Sequence, residues 1–284
     1  KTRDNYNTAI LNELRKEDQM SSEDILFEKK DRVVTLTLNR PDKLNALTPQ
    51  MAYEDLPKIL NRIRLDGEIR AIIITGTGKG FCSGTDVSAR LAKRLEGVLD
   101  EPRHETIQHV GGFVQNIADV DKPIIMAING IAAGAGLSLT LAGDIRLSSD
   151  KARFGAVWLK RGLIPDVGAT YYLPRIIGVD KALELTFRGD IIDAEEAMRI
   201  GLVTKVVPHD QLMLQARELA VKIAKGPAVA IELSKRGFYR SLNNDLKTQL
   251  DYETYAQNLC RQTDDHKEGV RSFMEKREAN FKGK

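Results

Sequence analysis

Between Ala127 and Asp166 lie the residues whose types and spacing could do chemistry. An apolar run (Ile124 to Ile128) enters the turn Asn129-Gly130 and then the small-residue run Ala132-Ala133-Gly134-Ala135-Gly136. Glycine and alanine leave the backbone bare, so main-chain N–H groups can point at a ligand where a larger side chain would block them. The apolar segment after Gly136 could begin a helix, whose N-terminus adds a partial positive charge at the same place. Such a place suits an oxygen that becomes negative during a reaction. Farther on, Asp166 sits in a Pro-Asp-x-Gly turn, available as an acid or base. If Trp158, Leu163, Ile164 and Pro165 bury it, its pKa rises towards a useful range. The Ser138 hydroxyl could hold a water or a substrate. The plain alternatives are small residues that pack a βα turn, a serine that packs in a helix, and an aspartate that stabilises only its own loop.

Rigid elements must hold such groups. VVTLTLN, from Val33, alternates apolar residues with threonine and reads as a strand. The Arg40-Pro41-Asp42-Lys43 turn stops it. Thr48 could cap a helix with Pro49 at its first position, and Leu56, Ile59, Leu60 and Ile63 have helical spacing. Ala71–Thr75 reads as a buried strand that ends in the glycine-rich turn Gly76–Gly80, and the pattern recurs at Ile124–Ile128 and Ile145–Ser148. That order suits an α/β layer architecture with right-handed crossovers. Residues 86–118 read as helical and as part of a pocket wall. From Asp193 the pattern turns helical, through Leu212–Lys225, Val229–Arg240 and Leu246–Cys260. The expected division is an N-terminal extension (1–24), a core (25–210) and a C-terminal helical region (211–284).

Composition narrows the classes. The 284 residues are 42% hydrophobic and 29% charged, as in an ordinary globular protein. The net charge of +3, with no basic block, argues against nucleic acid as the main partner. Two cysteines, Cys82 and Cys260, form neither a disulfide framework nor a metal-ligand spacing. No apolar run reaches the roughly 18 residues of a membrane span. The expected location is therefore cytoplasmic, with an organellar matrix also open.

AINGIAAGAGLSLTLAGDIRLSSDKARFG, preceded by GFCSGTDVSA at Gly80–Ala89, resembles the crotonase (enoyl-CoA hydratase/isomerase) superfamily, from about Ile25 to the C-terminus. The resemblance implies an α/β fold, a crotonase-type spiral of ββα units with a C-terminal helical trimerisation region. It implies an acyl-CoA thioester as substrate, no cofactor beyond its CoA moiety, and a homotrimer or dimer of trimers. It also implies an oxyanion hole for the thioester oxygen, built from the backbone N–H groups of Ser83 and Ala135. Each such donor contributes on the order of 3 kcal/mol. The two glutamates of the family's hydratases fall here on Ser138 and Trp158, neither of which is an acid.

The context GLIPDVGATYYLP around Asp166 resembles the superfamily isomerases that use an aspartate, such as the epoxyphenylacetyl-CoA isomerase type. An allylic isomerisation needs one base and a stabilised enolate, so the expected function is an acyl-CoA isomerase with Asp166 as general acid/base. A hydratase or hydrolase of a cyclic or aromatic acyl-CoA, using Asp166 and a Ser138-bound water, is the first alternative. The eight-residue spacing of Trp158 and Asp166 also matches the superfamily's 4-chlorobenzoyl-CoA dehalogenase, whose base histidine would correspond most nearly to His109. A non-catalytic acyl-CoA-binding subunit is the alternative outside enzymology. KLNALT resembles the segment whose backbone receives the adenine of CoA, at Lys43, Asn45 and Ala46. HKEGVRSFMEKREANFK resembles the family's C-terminal helix, with Phe273 and Lys276 given to the CoA of a neighbouring subunit.

Overall fold

The computed structural model describes residues 22–86 and 112–284. The expected extension lies outside them except for residues 22–24, and so do His104, His109 and most of the 86–118 segment.

β1 (Ile25–Lys30) and β2 (Val33–Leu38) pair antiparallel, with Ile25 opposite Leu38. Thr48 Oγ1 accepts the Met51 N–H at 3.1 Å, so the expected cap is present. A π-helical turn, Met51–Asp55, then leads into α1 (Leu56–Leu65), which buries Leu56, Ile59, Leu60 and Ile63. β3 (Ala71–Gly76) and β4 (Gly80–Cys82) come next, and α2 (Gly112–Ala118) is the first element after residue 111. β5 (Ile124–Ile128), β6 (Ile131–Ala133), α3 (Ala135–Leu141), β7 (Ile145–Ser149) and β8 (Arg153–Gly155) follow.

The strands form two sheets. The larger has the order β1-β2-β3-β5-β7 and is closed by β10 (Lys205–Val207); apart from β1 with β2, its neighbours are parallel. The smaller has the order β4-β6-β8 and ends on β9 (Ile191–Asp193). Each turn of chain gives one strand to each sheet (β3 and β4, β5 and β6, β7 and β8), which makes the expected spiral.

The central strands of the large sheet, β3 and β5, are apolar on both faces because both are covered, whereas the edge strand β1 is mostly exposed after Ile25. Ile72, Ile74, Ile124, Met126 and Ile128 enter the core with α1, α2 and α3. Ala71, Ile73, Ile125, Ala127 and Leu147 point the other way, onto Leu212, Ala216 and Ala220 of α7 (Leu212–Ala224).

Two helices before β9 are not announced by the residue pattern: α4 (Ala169–Ile177) and α5 (Val179–Arg188). Pro174 inside the first and Gly178 between them break up a stretch whose helical form comes from packing Ala169, Leu173, Ala182 and Leu185 into the core. α6 (Ala194–Arg199) follows β9. The C-terminal helices α8 (Ala228–Ser241), α9 (Leu246–Arg261) and α10 (Asp264–Glu275) complete the chain. Asp144 ties α8 to the large sheet. Its Oδ1 accepts the Tyr239 hydroxyl at 2.9 Å, and its Oδ2 accepts the Ile124 N–H and the Lys235 ammonium, each at 2.7 Å. Among the described residues, no helix is long and apolar enough to cross a membrane.

Candidate active site

The small sheet brings the two glycine-rich turns together, because β4 and β6 are parallel neighbours with Cys82 opposite Ala132. At Gly136 a Cβ would run into the Cys82 carbonyl, so glycine lets α3 begin directly against the first turn. Gly84 has φ +112°, and a carbon built on it would stand 3.7 Å from the Ala135 nitrogen. Side-chain amides brace this arrangement. Asn129 accepts the Gly76 N–H (3.2 Å) and donates to the Gly78 and Gly80 carbonyls (2.9 and 3.1 Å). Asn45, fully buried, donates to the carbonyls of Thr77 (2.9 Å) and Gly80 (2.7 Å).

Ala135 is the first residue of α3, and its N–H has no acceptor among the described residues, as the first turn of a helix requires. Ser83 differs from expectation. Its N–H donates to the Leu44 carbonyl at 3.0 Å and its hydroxyl to the Lys43 carbonyl at 3.2 Å, so its backbone donor is already used. The loop pairs instead with Leu47, whose N–H reaches the Gly84 carbonyl and whose carbonyl takes the Asp86 N–H, both at 2.8 Å. This pairing turns the Thr85 N–H to the opposite side, where it has no acceptor among the described residues. Thr85 is therefore the donor this loop leaves available. The positive φ of Gly84 redirects the backbone, a change that counting along a motif does not register.

Asp166 lies on the loop between β8 and α4. The Trp158 indole N–H donates to its Oδ1 at 2.9 Å. The same indole nitrogen lies 4.0 Å from where a Cβ on Gly134 would sit, so the acid and the α3 turn share one side chain as neighbour. Ser138, fully buried on α3, donates its hydroxyl to the Asp166 carbonyl at 2.9 Å and joins the two from below. Burial pushes the Asp166 carboxyl above the usual carboxylate range, while the indole N–H and its own backbone N–H pull against that shift. The apolar surroundings are not all those expected. Leu163 and Ile164 are 52% and 74% exposed and turn outward, whereas Trp158 and Val167 are buried. Val167 holds φ +53°, a conformation that costs a residue of this kind about 1–3 kcal/mol.

The remaining site residues sit apart. All four N–H groups of Lys43–Ala46 donate within the chain, so a ligand meeting this backbone would be met by carbonyl lone pairs. Phe273 is 85% exposed on α10, and Lys276 ends that helix at φ +54°. Phe273 edges a groove of about 520 Å³ between α8, α9 and α10, lined also by Pro227, Cys260, Val270 and Phe281. Within one chain neither residue joins the Asp166 group. Asp86 pairs with Arg40 at 3.0 Å and, like Asp144, is a structural acid. Among the described residues, no three of His, Cys, Asp and Glu cluster as metal ligands would.

A spiral of two parallel sheets, with two glycine-rich turns meeting beside a half-buried carboxylate, defines the class. The enoyl-CoA hydratase/isomerase family matches residues 28–284, and the chain belongs to that family, within the crotonase superfamily. It is 37% identical to a 1,2-epoxyphenylacetyl-CoA isomerase of Escherichia coli, over 92% of this chain and 98% of that one. It is 35% identical to a short-chain-enoyl-CoA hydratase of Clostridium acetobutylicum, over 91% of this chain and 97% of the other. The crystal structure of an enoyl-CoA hydratase from Bacillus anthracis superposes with a TM-score of 0.85 at 35% identity, covering 92% of this chain and 100% of that one.

Proposed function

We propose that this chain is an acyl-CoA isomerase that shifts a double bond in an enoyl-CoA through a thioester enolate. The observation that carries the reading is the Asp166 carboxylate, half-buried, raised in pKa and held by the Trp158 N–H beside the Ala135 turn. Asp166 takes a proton from the carbon next to the alkene, and the electron pair delocalises into the thioester oxygen. The Thr85 and Ala135 N–H groups meet that oxygen, and the proton returns to the far carbon of the allylic unit. The balance needs no oxidant or reductant, so the reading calls on no cofactor beyond the CoA moiety. The CoA would lie along Lys43, Asn45 and Ala46. Phe273 and Lys276 would come from a second copy in a homotrimer or dimer of trimers, in the cytoplasm or an organellar matrix.

Water addition is less well served. The Ser138 hydroxyl is fully buried and already donated to the Asp166 carbonyl, which is a poor seat for an attacking water. The Trp158–Asp166 hydrogen bond favours one second reading, in which Asp166 attacks a halobenzoyl-CoA and releases halide. The test offers crotonyl-CoA, a linear 3-enoyl-CoA and a cyclic enoyl-CoA in deuterated water, with mass spectrometry. Isomerisation gives a shifted double bond and at most single-deuteron exchange, and Asp166→Asn abolishes it while CoA-ester binding is kept. Net addition of water, or turnover by the asparagine variant, overturns the proposal; chloride release from 4-chlorobenzoyl-CoA supports the second reading.

A further inference from the structure

We infer that Val167 positions Asp166: its isopropyl group, set in the core, holds the turn in the left-handed form that presents the carboxylate to the two glycine-rich turns. This rests on the reading of Asp166 as general acid/base.

Six non-glycine residues among those described have positive φ: Asp31, Arg32, Leu44, Asn45, Val167 and Lys276. Val167 is the one branched at Cβ, the side-chain type that tolerates this region worst. Gly168 follows at φ +81°, so the chain turns left-handed twice in succession. No local preference of valine produces such a turn, and something else has to hold it. The Ser138 hydroxyl and the Ala169 N–H both hold the Asp166 carbonyl at 2.9 Å, and Trp158 holds the carboxylate. These contacts grip Asp166 itself. Val167 is the one residue between Trp158 and Ala169 that is buried, at 7% exposure, and it belongs to the main core cluster. With Leu163 and Ile164 turned outward, the loop has no other side chain seated in the core. A glycine at 167 would suit the backbone and release the anchor, which separates positioning from mere tolerance of the turn.

Trp158 is the chain's one tryptophan, and its indole N–H lies on the Asp166 carboxylate. Its emission should therefore follow the ionisation of Asp166 with no substrate present. The groups adjoining on the same loop, Lys160 and Arg161, are exposed, and no charged side chain among the described residues is hydrogen-bonded to the carboxylate. The experiment titrates the emission of the full chain over the range where circular dichroism shows the native fold, beside kcat and KM for a 3-enoyl-CoA. The wild type should step at a midpoint above the ordinary value of about 3.9, and Asp166→Asn should lose the step.

Val167→Gly should move the midpoint down towards about 3.9. It should also cut kcat roughly tenfold or more with KM within about threefold, as a displaced base does. Val167→Ala should do the same to a lesser degree and decides the matter if the glycine variant does not fold. Val167→Ile keeps the anchor and should restore both readouts. A wild-type midpoint and kcat in the glycine and alanine variants, or an isoleucine variant no better than alanine, overturns the inference. If Asp166→Asn keeps its turnover, the acid/base reading falls, while the emission midpoints still decide the place of Val167.

Discussion

Asp166, on the loop before α4, and Glu268, in α10, each accept from one side chain and from a backbone N–H, yet their pKa values move in opposite directions. Asp166 meets a neutral indole in a half-buried pocket with no cation bonded to it among the described residues, and desolvation outweighs the two donors, so its pKa rises. Glu268, partly covered at the surface, takes both prongs of the Arg277 guanidinium (2.6 and 3.0 Å) and the Asn280 N–H (2.9 Å), which outweigh its desolvation and lower it to about 2. The two regions use one chemical group for different ends. At Asp166 the fold leaves a carboxylate partly desolvated, at some loss of stability; at Glu268 the carboxylate straps the chain end onto α10. Asp265 does the same nearby, its buried carboxylate accepting the Lys282 and Gly283 N–H groups at 2.6 and 2.7 Å.

Breaking the first region has the largest expected effect. Asp166→Asn should abolish measurable turnover, a loss of at least about a thousandfold, within the usual range for a general acid/base. It should also raise the melting temperature at neutral pH. An acid whose folded pKa is raised binds its proton more tightly in the folded state, so the stability it contributes is present at low pH and lost as pH rises through that pKa. A variant that melts at or below the wild-type temperature at pH 7 contradicts this.

Trp158→Phe comes next. It removes the donor that stabilises the ionised carboxylate, so the acid limb of kcat should move to higher pH and plateau activity should fall roughly tenfold. A limb that stays in place means the indole bond does not set the acidity. Glu268→Gln is the smallest. The wild type should lose the contribution of this group as pH falls from about 4.3 towards about 2, because a depressed carboxylate stabilises the fold only while ionised. The glutamine variant should melt slightly lower at pH 7 and show a flatter acid dependence, with the acid limb of kcat unchanged. Movement of that limb would couple two regions that the structure keeps apart.

Much of this was legible in the chain. The alternation in VVTLTL, the buried runs AIIIT and IIMAI, and the cap at Thr48 declare their elements because each depends on neighbours a few residues away. The Ala127–Asp166 stretch offers its candidate site for the same reason, since small residues, a turn aspartate and a tryptophan eight residues before it are local facts. Helices α4 and α5 were not legible, because Pro174 and Gly178 argue against them and only burial of Leu173 and Leu185 outweighs that.

By itself, then, the sequence determined the layered α/β class, the family, and the candidate acid Asp166 with Trp158 as a neighbour for it; that the Ser138 hydroxyl meets the Asp166 carbonyl came from the fold. The tertiary structure decided which backbone donor stays open among the described residues: Ser83 gives its N–H to Leu44, and the Thr85 N–H, turned away from Leu47, meets no acceptor there. It also decided that Leu163 and Ile164 face outward while Val167, in a conformation valine avoids, faces the core. The physical reason is common to these cases. The direction of an N–H or a side chain in a loop is set by the elements packed against it, and those elements come from distant parts of the chain.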